Sequence, residues 1–97
     1  MKYQVRFKLA ARNDIEFAFA WYEQQSEGLG TDFLRSVSVA TSQLGNIPLI
    51  HAVEYNDVRR AHLKRFPYSM HFLVEADEVI VLGCIHQRRN PANWPKG

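Results

Sequence analysis

From Lys2 to Leu9 the chain alternates without a break: Tyr3, Val5, Phe7 and Leu9 are apolar, while Lys2, Gln4, Arg6 and Lys8 are polar. Period two is the signature of a strand with one buried face. The period then changes. Between Ala10 and Glu27, Ile15, Ala18, Phe19 and Tyr22 fall at i, i+3, i+4 and i+7, one face of a helix. Asp14 and Glu16 lie near its start, where the helix dipole favours acids. Gly28-Leu29-Gly30 stops this helix and turns the chain. Gly30 or Thr31 then caps a second one, with Phe33, Val37, Ala40 and Leu44 as its apolar face and Gly45-Asn46 ahead of Pro48 as its end. So short a linker predicts an antiparallel helix hairpin.

Pro48 to Asn56 has no clear period and reads mostly as loop. Three strands follow. Val58 to Phe66 is a polar one. Tyr68 to Glu75 alternates, with Tyr68, Met70, Phe72 and Val74 on one parity. Val79 to His86 follows the tight polar turn Ala76-Asp77-Glu78. Val79 to Ile85 is apolar at both parities, which predicts a central strand covered on both faces. The basic strand is expected at an edge, since charge blunts edges. Segregated helices and antiparallel strands give an α+β class. The expected architecture is a strand, a helix hairpin and a three-stranded antiparallel meander, with the helices on one face of a four-stranded sheet. The other face is expected to be partly polar or covered by something else.

A length of 97 residues suits a single domain spanning 1–97, with a basic tail at 86–97. Most apolar residues must then share one core. No apolar run approaches the ~18 residues of a membrane span, and the alternating N-terminus lacks the apolar stretch of a signal peptide. Cys84, the sole cysteine, lies inside an apolar run and reads as a small core residue. A chain with no possible internal disulfide fits a reducing cytoplasm.

The net charge of +2 matters less than its placement. Arg59, Arg60, Lys64 and Arg65 fall between Val58 and Phe66 with no acid among them. After the last apolar strand come His86-Gln87-Arg88-Arg89-Asn90-Pro91-Ala92-Asn93-Trp94, again without an acid. Burial explains an apolar run; it does not explain a His-Arg-Arg cluster at the end of a buried strand. Such a cluster suits an anionic or carboxylate-rich partner, because arginine forks match carboxylates and phosphates equally well. Trp94, between Pro91 and Pro95, is either a lid folded back on the sheet or an exposed anchor. His51, His62, His71 and His86 are spaced 11, 9 and 15 apart, which matches no metal motif. The chain has no nucleophile elbow, phosphate-binding glycine loop or paired-carboxylate motif.

The order and spacing of several segments resemble the RelE/ParE superfamily of bacterial type II toxin–antitoxin toxins, closest to ParE. The segments are Tyr3-Gln4-Val5-Arg6-Phe7, Ala11 with Asp14-Ile15, Trp21-Tyr22-Glu23, Gly28-Leu29-Gly30-Thr31-Asp32-Phe33-Leu34, Pro48, Val58 through Tyr68, and His86 through Pro91. The resemblance covers almost the whole chain. It implies a cytoplasmic toxin neutralised by a cognate antitoxin with a DNA-binding head and a disordered C-terminal arm that folds on binding. ParE-like members inhibit DNA gyrase; RelE-like members cut mRNA on the ribosome. Ser69 stands here where RelE carries a catalytic arginine, and Trp94 stands near its tail aromatic. A tryptophan cannot relay a proton as tyrosine or histidine does. The expectation is therefore a gyrase inhibitor rather than an enzyme. Its target would be bound by His86, Arg88, Arg89 and Trp94, and its antitoxin by Phe17, Trp21, Arg59 and Arg60. An endoribonuclease using Arg88, Lys64 and Arg65 is the alternative, and a non-toxic binding module of the same fold is the third reading. No metal, no cofactor, no membrane contact and no direct DNA binding are expected.

Overall fold

The computed structural model describes residues 2–97. Strand β1 (Gln4–Phe7) leads into helix α1 (Leu9–Gln25) and helix α2 (Leu29–Asn46). Four strands follow: β2 (Val53–Tyr55), β3 (Val58–His62), β4 (Tyr68–Glu75) and β5 (Glu78–His86). They form one sheet in the order β1-β5-β4-β3-β2. β1 is parallel to β5, and every other pair is antiparallel. The α+β class, the helix hairpin and the meander agree with the sequence.

The hairpin is fastened at its turn. Gly28 adopts φ 88° ahead of α2. Glu23 reaches across from α1, and its two carboxylate oxygens accept the N–H groups of Gly28 and Gly30 at 2.9 Å each. An acid at a helix N-terminus satisfies donors that have no partner within the helix. The cap position is thus Gly28 rather than Gly30 or Thr31. Gly30 has a different reason to be glycine: a Cβ there would lie 2.7 Å from the backbone oxygen of Phe19. The two helices cross where no side chain fits between them.

Phe33, Val37, Ala40 and Leu44 are buried, as their period requires. They meet Ala11 and Ala18 of α1 and the inner face of the sheet, including Met70, Phe72, Val79, Val81 and Cys84. Tyr22, Phe33, Phe66 and Tyr68 form an aromatic cluster with ring centroids 4.9–6.2 Å apart, edge to face except for the tilted Tyr22–Phe33 pair. Asp14 adds a polar tie. β1 ends at Phe7, opposite Val81. Farther along β5, the Asp14 carboxylate accepts the Cys84 N–H at 3.0 Å. Buried backbone donors need partners, and here an α1 side chain supplies one. Asp14 thus serves the sheet rather than the helix dipole.

Three expectations are corrected. The sheet has five strands, not four, because Val53–Tyr55 pairs with β3. Asn56 and Asp57 both adopt positive φ (44° and 65°), which makes the two-residue turn that matches strand twist in a hairpin. The basic strand β3 is therefore interior to the sheet, and it ends at His62, leaving Lys64 and Arg65 in the β3–β4 turn. Leu9 does not extend β1. Lys8 donates its N–H to Val81, and Leu9 then opens α1 with its side chain 73% exposed.

The second face of the sheet is covered by the chain's own tail. Asn90 caps a short 3-10 turn at Pro91–Asn93 by accepting the Ala92 N–H. Pro95 then lies over Gly83, where an added Cβ would come within 2.9 Å of the proline ring. Gly97 reaches the side chains of Val58 and Leu73.

Candidate functional site

The structure regroups the residues singled out from the sequence. Arg59 and Arg60 are neighbours in β3 and so face opposite sides of the sheet. Arg59 donates to the carbonyl oxygen of His51. Arg60 lies on the tail side, bonded to Glu54 at 2.7 Å, with its guanidinium 4.6 Å from the Trp94 ring centre. Trp94 also contacts Tyr55 at 5.2 Å and His71 at 5.1 Å between ring centres. It is half-buried, as the lid reading requires.

Beneath Trp94 the polar groups are fully assigned. The Tyr55 hydroxyl donates to the Pro95 carbonyl at 2.8 Å. It has only one proton, so at the second contact, 2.9 Å from His71 Nδ1, the imidazole N–H is the donor. His71 is 1% exposed. Burial, then the nearby Arg60 charge, push its pKa down to about 4, so it is neutral at physiological pH. A second pair, buried only on the serine side, sits beside it. Ser69, fully buried, shares a hydrogen bond with His62 Nδ1, which also faces the Gln87 amide at 3.3 Å. The serine at that strand position is thus a structural residue with no access to solvent.

A second group forms around α1. Phe17, Asp14, Tyr68, Cys84, His86 and Arg89 line one pocket of about 380 Å³. His86 ends its strand with Nδ1 accepting the Arg88 N–H at 3.0 Å and its ring 5.1 Å from Tyr68. Asp14 is pulled in two directions. Burial raises its pKa, while the Cys84 N–H and the Arg89 charge oppose the rise. Phe17, assigned from sequence to one partner, therefore borders His86 and Arg89, assigned to another. Phe17 is 75% exposed and Trp21, one turn along α1, is 50% exposed. Arg88 is exposed and lines neither this pocket nor the groove below.

A third group lies between α2 and the β3–β4 turn. Arg35, Val39, His62, Lys64, Arg65 and Phe66 are among the residues lining a groove of about 280 Å³. Sequence reasoning found Lys64 and Arg65 but not their α2 neighbours. The second apolar-and-charged stripe of α2 was present in the spacing of Asp32, Arg35, Ser36, Val39 and Gln43, and it was masked by the stronger buried stripe. Tyr55, Glu54 and His71 were also missed, because only the folded tail brings them together. Burial pushes the Cys84 thiol up to about 12, which makes it an inert core group. No cluster of His, Cys, Asp and Glu suited to a metal occurs among the described residues, and none of the described helices is long and apolar enough to cross a membrane.

No protein-family model matches the chain, and no curated protein does. Among solved structures it aligns with a chain of the chromosomal ParDE TA system from P. aeruginosa, with a TM-score of 0.77. The alignment covers 88% of this chain and 96% of that one, at 18% sequence identity. The two chains share one fold. The ParE-like architecture read from the sequence is the one observed, with an additional edge strand. At this identity the likeness is one of fold, and site residues do not transfer from the ParDE structure.

Proposed function

We propose that this chain is the toxin of a bacterial type II toxin–antitoxin module, acting in the cytoplasm as a ParE-like inhibitor of DNA gyrase and neutralised by a cognate antitoxin. The observation that carries the reading is the fold shared with the ParDE chain over 88% of this chain. The surface supports it. Phe17 and Trp21 stand exposed on α1, and Arg88 and Arg89 stand exposed beyond β5. Exposed aromatics beside exposed arginines are the raw material of protein interfaces. An antitoxin with a DNA-binding head and a C-terminal arm that folds on contact suits such dispersed patches.

Ribosome-dependent mRNA cleavage is the competing reading. It needs cations converging on one phosphate and a group that moves a proton. Lys64 and Arg65 line the α2 groove, Arg89 turns toward α1, and Arg88 lines neither. Ser69 is buried behind His62. This spread of charge favours binding over cleavage.

The deciding experiment compares DNA supercoiling by gyrase with translation in vitro, each in the presence of the pure protein. Supercoiling should fail and translation should proceed. The double substitution Arg88→Ala/Arg89→Ala removes two exposed side chains, so a cooperative melt and antitoxin binding should persist. Removing two charge-assisted hydrogen bonds from an interface should weaken gyrase inhibition ~10²-fold. Loss of mRNA cleavage with supercoiling inhibition unchanged would award the function to the nuclease reading. Normal growth of cells making soluble protein would award it to the non-toxic module.

A further inference from the structure

Between the end of α2 and the start of β2 lies an apolar surface that neither the core nor the tail covers. From Leu44 to Val53 the chain carries no Asp, Glu, Lys or Arg. Within that stretch Ile47, Leu49 and Val53 are about half exposed, and Ile50 is 68% exposed. The backbone beneath them is fixed. Pro48 is fully buried, the N–H groups of Ile50 and His51 close a 3-10 turn onto Ile47 and Pro48, and Arg59 donates to the His51 carbonyl. His51 packs its ring at right angles to Phe72, and burial holds its pKa below the ordinary value, so it adds no charge at neutral pH. The exposed side chains are thus held outward on a rigid support, which lowers the ordering cost of any contact they make.

Beside this ridge is a hollow of about 340 Å³, lined by Tyr3, Asn46, Ile47, Leu49 and Ile50 over Pro48. Ile50 stands at its rim. A knob next to a hole of the same apolar character suits a two-fold contact, in which each copy sets its knob in the other's hole. Area points the same way. Four large aliphatic residues, each about half exposed, amount to roughly 400 Å² on one copy, within the ~300–600 Å² of patches that mark interaction sites. Two facing copies hide about twice that, and exposed Asn46, Ala52 and the edge of β2 bring the total near the ~1,200 Å² at which stable interfaces begin. Charge agrees as well. An uncharged stretch set against itself brings no like charges together, although the chain as a whole carries +2.

We infer that the Ile47–Val53 surface is a two-fold contact between copies of this chain, with Ile50 of each copy seated in the hollow of the other. The inference stands apart from the toxin–antitoxin reading. The hollow opens beside Tyr3, at the end of the sheet where Gln4 pairs with Glu78, whereas Tyr68 pairs with His86 at the other end. A dimer built here leaves His86, Arg89, Lys64 and Arg65 uncovered at its two outer ends. A nucleic-acid strand or an acidic segment fits this surface poorly, because the Leu44–Val53 stretch offers neither a cation nor an aromatic ring.

Sedimentation equilibrium of the full chain from about 1 µM to about 300 µM reads the association directly. Wild type should pass from monomer to dimer with a micromolar dissociation constant. Ile50→Glu should raise that constant at least ~100-fold, since it sets a carboxylate in each apolar hole, while the thermal melt stays intact. Leu49→Lys, at the wall of the hollow, carries the same expectation and decides the matter if the first variant fails to fold. Phe17→Glu, on the exposed side of α1, should dimerise like wild type. A wild-type chain that stays monomeric over the whole range overturns the inference. So does a dimer that survives substitution at Ile50 and Leu49, or one lost equally in Phe17→Glu. If wild type is monomeric and Ile50→Glu loses binding to the product of the adjacent reading frame, the surface belongs to that partner, and the two-fold contact is overturned while the toxin–antitoxin reading stands.

Discussion

The two faces of the sheet are built on different principles. The helix-covered face is apolar and aromatic. Tyr22, Phe33, Phe66 and Tyr68 form an aromatic cluster, and Met70, Phe72, Val79 and Val81 are wholly buried against them. The tail-covered face is held by named polar contacts: Arg60 with Glu54, Tyr55 with His71 and Pro95, and Ser69 with His62. Its lid is a short segment pinned by one half-buried tryptophan. The first face gains stability in proportion to area removed from water, and it tolerates no gaps. The second gains it from a few geometric matches, so it should respond to pH and to single substitutions.

The contrast breaks most visibly at Phe33. Its ring is fully buried and touches Tyr22, Phe66 and Tyr68. Phe33→Ala should cost ~3–5 kcal/mol, combining lost transfer energy with a cavity that rigid aromatic neighbours cannot fill. Chemical denaturation measures it. A loss below about 1 kcal/mol would mean that the helix face is no more demanding than the tail face.

Acid should find the other face first. His71 has a folded pKa of about 4 against an ordinary value of 6.5. Between those values the unfolded chain binds a proton that the native chain refuses. The contribution is therefore intact above about pH 6.5, falls as pH drops, and levels off below about pH 4, with a limiting slope of ~1.4 kcal/mol per pH unit. His51, lowered by burial and by the charges of His62 and Arg59, acts in the same direction. Asp14 acts against them. Its pKa is raised by burial, so the native state holds that proton more tightly and gains as pH falls. Melts between about pH 7.5 and about pH 4.5 should show a net loss, and His71→Gln should flatten it. A wild-type curve without slope would mean that His71 titrates alike in the folded and unfolded chain.

The same division explains what the sequence made legible. Both helices and strands β1 and β4 follow from period, and β5 follows from its unbroken apolar run. The five-strand count did not, although Asn56-Asp57 carried a hairpin signal. β2 is three residues long and largely exposed, so it leaves no hydrophobic pattern. The candidate site residues were named from charge and from family resemblance, and neither of these says which way a side chain points. Arg59 and Arg60 look like one cluster in sequence, yet the pleat sends them to opposite faces. Phe17 and Arg89 are 72 positions apart in sequence and line one pocket, because α1 packs on β5.

Trp94 probes the tail alone. Trp94→Ala removes a half-buried ring and its cation–π contact with Arg60, worth ~1–2 kcal/mol together. It also uncovers His71, whose pKa should climb back toward 6.5 when followed by NMR. The helix face should be untouched, so amides of Phe33 and Leu44 should keep their exchange protection. Faster exchange at those amides would show that tail and core unfold as one unit, and the two-face division would fail.

The smallest effect on folding should come from Trp21. It lies on neither face of the sheet. Its ring meets Tyr22 edge to face, at 5.1 Å, and half of its surface is already in water. Truncation removes only the buried half of the ring, and alanine is the better helix former, so Trp21→Ala should cost about 1 kcal/mol or less. An interface aromatic behaves differently, because a partner buries the half that water now holds. Covering that half is typically worth ~1 kcal/mol or more. The same substitution should therefore weaken antitoxin binding several-fold while the denaturation midpoint shifts only slightly. Calorimetry and denaturation on one preparation separate the outcomes. A large loss of stability with unchanged affinity would assign Trp21 to the helix core. A change in neither would leave the outer side of α1 as plain solvent-facing surface.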